Sequence, residues 1–167
     1  SASAGDLVLM VGHVERYNPA ISQLAEIVSD DVIHALDARR MSALSGRITD
    51  VDVVLDLMIH DIDVVLSLMP NPVEKIVAQG VKTMSGHGAD YVTATLGFEN
   101  GSIASFTASR ITNNKIRELQ LTTARAFITA NYMTQELPVF MQGQAAALPT
   151  RVAYQTYTVD RANDTVL

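Results

Sequence analysis

The sequence predicts an α+β domain built on a largely antiparallel, open β-sheet with helices packed on one face. The predicted elements run strand, helix, strand, helix and then a series of strands, an order typical of this fold class. The hydrophobic period also changes from helical to alternating at Val73. With 167 residues, 48% of them apolar, the chain is long enough for one domain with a full core.

The first half of the chain alternates strands with helices. Asn18 followed by Pro19 marks a helix start, because the Asn side chain can cap free N–H groups and Pro fits the first helical position. Pro70 and Pro72 end the second helix. We therefore predict strands over residues 7–14 and 32–41, helices over 19–29 and 51–69, and a loop over 42–50.

The second half of the chain alternates apolar and polar residues, as strands do. Asn100-Gly101 suits a two-residue hairpin loop, so the strands on either side of it should pair antiparallel. A composition shift near residues 142–147 indicates a surface loop. The predicted strands cover residues 73–84, 91–99, 102–110, 116–123, 127–133 and 152–159.

Composition limits the partners. A net charge of −6 with no basic run argues against nucleic acid and anionic membranes as partners. The chain has no cysteine, which excludes a disulfide scaffold and a thiol nucleophile. No apolar stretch reaches the roughly 20 residues of a membrane span. We expect a cytoplasmic domain.

The second predicted helix carries one narrow polar stripe on an otherwise apolar surface. With Asp56 at zero and about 100° per residue, His60 falls near 40°, Asp63 near −20° and Asp52 near −40°. A helix that is apolar almost all round is buried, and buried carboxylates are costly unless paired or facing a wet cavity. The stripe therefore closes an internal network or faces a pocket.

Three interpretations of the stripe remain open. In the first it is a solvent-facing or N-terminal stripe, with Asp50 and Asp52 serving the helix dipole. In the second, Asp56 and His60 share a metal ion. In the third, His60 beside a carboxylate exchanges a proton with a substrate hydroxyl. A third metal ligand would come from His13, His34 or His87.

A second informative segment joins the first predicted strand to the first helix. Arg16 could contact a phosphate, a carboxylate or a sugar hydroxyl, or form a surface ion pair. For Asn18 a helix cap is a sufficient explanation, and His13 is interpreted as structural. No glycine-rich phosphate loop is visible, so this chain offers no cofactor-binding motif of its own.

Two segments together resemble a known family. Gly12-His13-Val14-Glu15-Arg16-Tyr17-Asn18-Pro19-Ala20 is similar to its "GHxERFNPA" stretch, and residues 56–63 are similar to its "DxxxHDxD" helix. Both motifs belong to the C-terminal half of the glucose-fructose oxidoreductase/inositol dehydrogenase (Gfo/Idh/MocA) family. The first motif most resembles the branch near UDP-N-acetylglucosamine 3-dehydrogenases. Met58 departs from the many members that have Gly there.

The resemblance implies that residues 1–167 are a single C-terminal substrate-binding and oligomerisation domain of a longer oxidoreductase. NAD or NADP would be bound mainly by an N-terminal Rossmann domain absent from this chain, and the substrate would be a sugar or nucleotide sugar. His60 and Asp56 would be the catalytic residues, with no metal ion, and Asp63 would be structural. The substrate-binding residues would be Arg16, Asn18, Glu15 and Arg47.

Two alternatives from other classes accompany this hypothesis. One is a non-catalytic sugar-binding or dimerisation domain. Its homo-oligomer would form through the open sheet face, with Phe98, Phe106 and residues 119–121 as the apolar contact. The other is a metal-dependent hydrolase that uses Asp56 and His60.

Overall fold

A computed structural model describes residues 11–44, 51–83, 88–142 and 153–158, the last stretch by its backbone only. The helices in these ranges are α1 (Pro19–Val28) and α2 (Ile59–Leu68). The strands are β1 (Ile33–Met41), β2 (Val73–Val81), β3 (Tyr91–Phe98), β4 (Ile103–Ser109), β5 (Ile116–Thr123), β6 (Ala126–Asn131), β7 (Glu136–Met141) and β8 (Ala153–Thr158). None of the described helices has the length and apolar character needed to cross a bilayer.

The strands form one open sheet in the order β2-β3-β4-β1-β5-β6-β7-β8. Only the pairing of β1 with β4 is parallel among the described pairs, and the others are antiparallel. The helices cover one face, where Leu24 of α1, Val65 of α2 and Leu36 of β1 belong to a single buried core. The predicted α+β class with a largely antiparallel sheet is confirmed.

Local sequence signals correctly locate two turns of the chain. Asn18 Oδ1 accepts a hydrogen bond of 3.1 Å from the Ala20 N–H, and Pro19 is the first residue of α1. Between β3 and β4 the two strands pair antiparallel as predicted. The loop has three residues rather than the predicted two, because the Phe98 carbonyl accepts from the Gly101 N–H at 2.9 Å and the Phe98 N–H donates to the Ser102 carbonyl at 3.0 Å. Gly101 ends this loop with a φ of +83°. The cap and the hairpin therefore follow from short-range chemistry.

The chain before α1 differs from its prediction where it is described. The predicted strand over residues 7–14 lies mostly outside the described residues, and its last residue begins a 3₁₀ turn, Val14–Tyr17. Much of the predicted loop over residues 42–50, including Arg47, also lies outside them. The 3₁₀ turn brings Glu15 to Arg40 of β1 and Arg16 to Asp63 of α2.

The second predicted helix is divided into two kinds of helix. Val54–Met58 forms a π turn, and α2 continues from it as a regular α-helix. A π turn bonds each residue to the fifth one along the chain, so it accommodates an extra residue per turn. Positions calculated at a constant 100° per residue are therefore displaced across this turn.

The predicted strands do not include β7, which has Pro138 in its middle. Proline cannot donate to a ladder and usually argues against an interior strand. The β6–β7 pairing runs from Ala126 to Ile128 and resumes at Asn131, so Pro138 falls in the break between the paired residues. This interruption lets an interior strand accept a proline.

The residues predicted to form an apolar contact on the open sheet face lie on the opposite face. Phe98 is 1% exposed, Phe106 2% and Leu119 0%, because they belong to the core under the helices. The strand alternation was correct, but it does not reveal which face the helices cover. The proposed apolar interface of Phe98, Phe106 and residues 119–121 is therefore wrong.

The open face instead carries two polar rows that cross five strands. Neighbours within each row are directly paired in register. Arg39 forms two ion pairs on this face, from Nε to Asp37 Oδ1 at 3.1 Å and from Nη2 to Glu118 Oε1 at 3.6 Å. One row is Thr95, Ser105, Asp37, Gln120 and Thr129, and the other is Thr93, Thr107, Arg39, Glu118 and Asn131.

Candidate functional site

The candidate site forms where the 3₁₀ turn meets the start of α2 above strand β1. Arg40 points from β1 into the core and joins both segments. Its Nε and Nη2 donate to the two carboxylate oxygens of Asp61, each at 2.8 Å, and its Nη1 donates to Glu15 at 2.8 Å. The guanidinium also lies 5.2 Å from the centre of the Tyr132 ring.

The electrostatics of this cluster keep Arg40 charged although it is buried. Burial by itself lowers the pKa of Arg40, but the hydrogen bonds and charges of Asp61 and Glu15 outweigh burial, so the pKa is raised. The same burial, with the negative charge of Asp61, raises the pKa of Tyr132 well above its usual value. Tyr132 is therefore a neutral phenol against a charged pair.

A second ion pair lies on the exposed side of α2. Arg16 donates from Nε and Nη2 to the two oxygens of Asp63 at 2.5 and 2.6 Å, and His13 Nε2 lies 3.9 Å from Asp63. The hydrogen bond from Arg16 is the main cause of a lowered pKa of Asp63; burial opposes it, and the charges of Arg16, His13 and His60 add to it. Asp63 is therefore an anion at neutral pH.

His60 lies on α2, directly before Asp61, and is half-buried. Its Nδ1 is buried and has no hydrogen-bond partner among the described residues. Buried polar atoms are usually paired, so an unpaired ring nitrogen needs explanation. Here an imidazole stands in a polar cluster with one nitrogen unused by the fold.

Asp56 does not pair with His60 through a hydrogen bond or an ion pair in the described structure. It belongs to the π turn, and its Oδ2 lies 3.8 Å from Arg110 Nη2. The predicted stripe also loses Asp52, whose Oδ1 accepts from the Val54 and Leu55 N–H groups at 3.0 Å and caps the π turn. The N-terminal interpretation is therefore correct for Asp52, while Asp50 lies outside the described residues.

The fold already uses three of the residues predicted to bind substrate. Glu15 is hydrogen-bonded to Arg40, and Arg16 is held by Asp63. Asn18 accepts from Ala20, and its Nδ2 donates to the Tyr132 carbonyl at 3.4 Å. These contacts position the 3₁₀ turn against α2. Arg16 alone of the three keeps an exposed side chain, at 49%.

Sequence reasoning missed Arg40 and Asp61, which organise the site. The sequence contains an indication of the importance of each residue. Arg40 alternates with Leu36 and Ala38 on the core face of β1, and a charged residue on a core face needs a partner. Asp61 directly follows His60 in the motif. Only the three-dimensional structure shows that the two residues meet.

No group of three His, Cys, Asp or Glu side chains suited to a metal ion occurs in the part of the chain that the structure describes. His87, one of the predicted third ligands, lies outside that part. The described residues also form no cradle for a dinucleotide, since α1 begins at Asn18-Pro19 and α2 continues from the π turn.

The open, largely antiparallel sheet with helices on one face is the fold of a C-terminal domain from an oxidoreductase family. Residues 3–129 match the family model described as the GFO/IDH/MocA C-terminal domain. The chain belongs to this family, which confirms the resemblance of its two motifs.

A curated relative identifies the neighbouring branch. The UDP-N-acetylglucosamine 3-dehydrogenase of Acidithiobacillus ferrooxidans is 30% identical over 156 residues, covering 93% of this chain and 49% of that protein. Its solved structure has a TM-score of 0.82 at 28% identity, covering 96% of this chain and 50% of that one. The chain thus spans about half the length of this relative.

More distant structures share the fold. An inositol dehydrogenase homolog of Azotobacter vinelandii, complexed with NADH and myo-inositol, has a TM-score of 0.76 at 14% identity, covering 94% of this chain and 44% of that one. A levoglucosan dehydrogenase in complex with NADH has a TM-score of 0.73 at 18% identity, covering 92% and 47%. At these identities the two likenesses show a shared fold.

Proposed function

We propose that this chain is the substrate domain of an NAD(P)-dependent oxidoreductase that acts on a hydroxyl of a sugar or nucleotide sugar. UDP-N-acetylglucosamine is the first substrate to test, because a relative at 30% identity carries that name. The observation that carries the proposal is His60, an imidazole with an unpaired buried Nδ1 beside anionic Asp63. The protein is proposed to work in the cytoplasm.

Oxidation of a hydroxyl releases a hydride and a proton. The nicotinamide, bound mainly by an N-terminal Rossmann domain, accepts hydride in such reactions. The proton needs a base, and neutral His60 can accept it at a ring nitrogen.

Asp56 is the second catalytic group of the proposal. It precedes His60 by four residues, and its side chain is 18% exposed. A carboxylate accepts hydrogen bonds from sugar hydroxyls, which fixes the ring relative to the base. Since Asp56 does not contact His60, we assign it to substrate binding rather than to orienting the imidazole. Arg16 would provide a further polar contact.

A homo-oligomer through the open sheet face belongs to the proposal in revised form. The central residues of that face are the two polar rows, and apolar side chains of the same face, Phe127 and Ile103, are exposed at 38% and 48%. Light scattering on the 167-residue chain tests self-association. A dimer that dissociates when Arg39 is replaced by Glu supports this surface, and a monomer contradicts it.

Activity of the full-length protein tests the proposed reaction. NAD(P)H formation is followed with UDP-N-acetylglucosamine, other nucleotide sugars, free hexoses and inositol. We expect turnover of one substrate class to fall by about 10²-fold or more in His60→Ala. His34→Ala, which removes an exposed histidine of β1, is the matched control. Turnover that is indifferent to His60 contradicts the assignment, and no turnover at all favours the non-catalytic binding alternative.

A further inference from the structure

A small pocket of about 150 Å³ lies beside Asp56, away from Arg16 and Asp63. The π turn forms one wall, and the chain ends next to β1, β4 and β5 form the others. Asp56 is its only carboxylate among the described residues, whereas Arg110 and Arg117 both line it. Ser42 adds a hydroxyl.

Arg110 is the most unusual group in this pocket. It is 3% exposed, and its Nη2 donates to the Val51 carbonyl at 2.9 Å. Its Nε and Nη1 are buried and have no hydrogen-bond partner among the described residues. The Asp56 carboxylate, at 3.8 Å from Nη2, is beyond hydrogen-bond distance. Unpaired buried guanidinium N–H groups are costly, so a partner for them is expected.

Arg117 adds a second charge without a matching carboxylate. Its Nη1 donates to the carbonyls of Met41 and Ile116 at 3.3 and 3.2 Å. Burial, followed by the charge of Arg40, lowers the pKa of Arg117. Asp61 and Glu15 are already hydrogen-bonded to Arg40. The pocket therefore holds two guanidinium groups and one carboxylate.

We propose that this pocket binds an oxyanion of the substrate, a phosphate or a carboxylate, through Arg110 and Arg117. Guanidinium groups match both oxyanions in geometry and charge. Asp56 would then stand between the oxyanion and His60, where it accepts hydroxyls of the same molecule. The inference rests on the proposed function and narrows its substrate to an anionic sugar derivative.

Ligand binding by the 167-residue chain tests the pocket without turnover. Inorganic phosphate and acetate are titrated at constant ionic strength, and amide NMR shifts report binding. We expect saturable binding that weakens at least about tenfold in Arg117→Gln. Arg125→Gln, which removes an exposed arginine paired with Asp31, should bind as the wild type does. If phosphate binds more tightly than acetate, the substrate is indicated to be a phosphorylated or nucleotide sugar. If acetate binds more tightly, a sugar acid is indicated.

Arg110→Lys is the second variant, since Lys keeps the charge but loses the planar donors. A thermal unfolding curve checks that each variant is folded. If Arg110→Lys does not fold, the binding test relies on Arg117→Gln alone. Absence of saturable binding of both ions in the wild type, or binding unchanged in Arg117→Gln, overturns the proposal.

A kinetic measurement separates this inference from the proposed function. In the full-length protein, Arg117→Gln should raise KM for an anionic sugar at least about tenfold with kcat within about twofold. His60→Ala should abolish turnover but leave phosphate binding unchanged. Turnover that depends on His60 but not on Arg117 contradicts oxyanion binding in this pocket and leaves the proposed reaction standing. Phosphate binding without any turnover overturns the proposed reaction alone.

Discussion

Arg40 and Asp61 form a buried, two-pronged ion pair that ties the central strand to the helix of the candidate site. Both N–H···O distances are 2.8 Å, and each side chain is 4% exposed. Because Asp61 directly follows His60, this pair fixes the start of α2 relative to β1. Arg40 also holds Glu15, so one side chain positions both segments that carry the candidate site.

Replacing Arg40 with Met should strongly destabilise the fold. The change leaves the Asp61 carboxylate buried without its partner, a loss of about 3–5 kcal/mol in comparable cases. Chemical denaturation measures the free energy of unfolding. Arg39→Met is the matched control on the open face, where exposed pairs contribute about 1 kcal/mol or less. A loss below about 1 kcal/mol for Arg40→Met would show that the pair does not support the fold.

Asp63→Asn should make stability less sensitive to acid. The pKa of Asp63 is lowered in the folded chain, so its ionised form contributes stability above the unfolded pKa of about 3.9. That contribution is lost as pH falls through the lower folded pKa. We expect the difference in unfolding free energy between wild type and variant to be constant above about pH 5 and to shrink below about pH 4.

Denaturation curves at several pH values measure this difference, with Asp37→Asn on the open face as the control carboxylate. A difference that does not change between about pH 5 and pH 2 contradicts the role of the Arg16 pair.

Asn18→Ala should cost about 1 kcal/mol, the usual value of a helix N-cap. The variant loses the hydrogen bond to the Ala20 N–H and the contact of Nδ2 with the Tyr132 carbonyl. Asn113→Ala, in the exposed β4–β5 connection, is the control. Equal free energies of unfolding for the two variants would show that the Asn18 cap does not stabilise α1.

Gly88→Ala should destabilise the chain more than Gly101→Ala does. Both glycines have positive φ, +71° and +83°, so both variants carry backbone strain of about 1 kcal/mol. Only at Gly88 would the new Cβ lie 2.3 Å from the Asp52 Cβ; at Gly101 it meets open space. Displacing Asp52 removes the cap of the π turn, for about 1 kcal/mol more.

Thermal unfolding measures both glycine variants. A loss of helical signal restricted to Gly88→Ala would support the cap, whereas equal losses would show that strain alone matters.

Local chemistry predicts the parts of this fold that depend on neighbouring residues. The Asn18-Pro19 helix start and the antiparallel pairing across Asn100-Gly101 are confirmed, because caps and turns involve only a few consecutive residues. The loop itself has three residues rather than the predicted two. The same reasoning fails at Pro138, where the break in the β6–β7 pairing accepts a residue that normally excludes an interior strand.

The site could be predicted in part only. The predicted helix is confirmed and carries His60, but the π turn displaced Asp56 and Asp52 from the calculated stripe. A period of 3.6 residues cannot anticipate one wider turn. Arg40 contacts Asp61 across 21 positions of the chain, and no local pattern reports such a pairing. The roles of His60 and Asp56 stay predictions until activity is measured.

The central position of β1 has a consequence for how the site is made. The sequence of β1 lies early in the chain, but both neighbouring strands, β4 and β5, lie in the second half. Closing such long loops is slow, so folding should take milliseconds to seconds rather than microseconds. Arg40 belongs to this strand, so it can hold Asp61 and Glu15 in place only once the strand is flanked. During synthesis on the ribosome, a chain that stops before β5 would carry the sequence of the site without its arrangement.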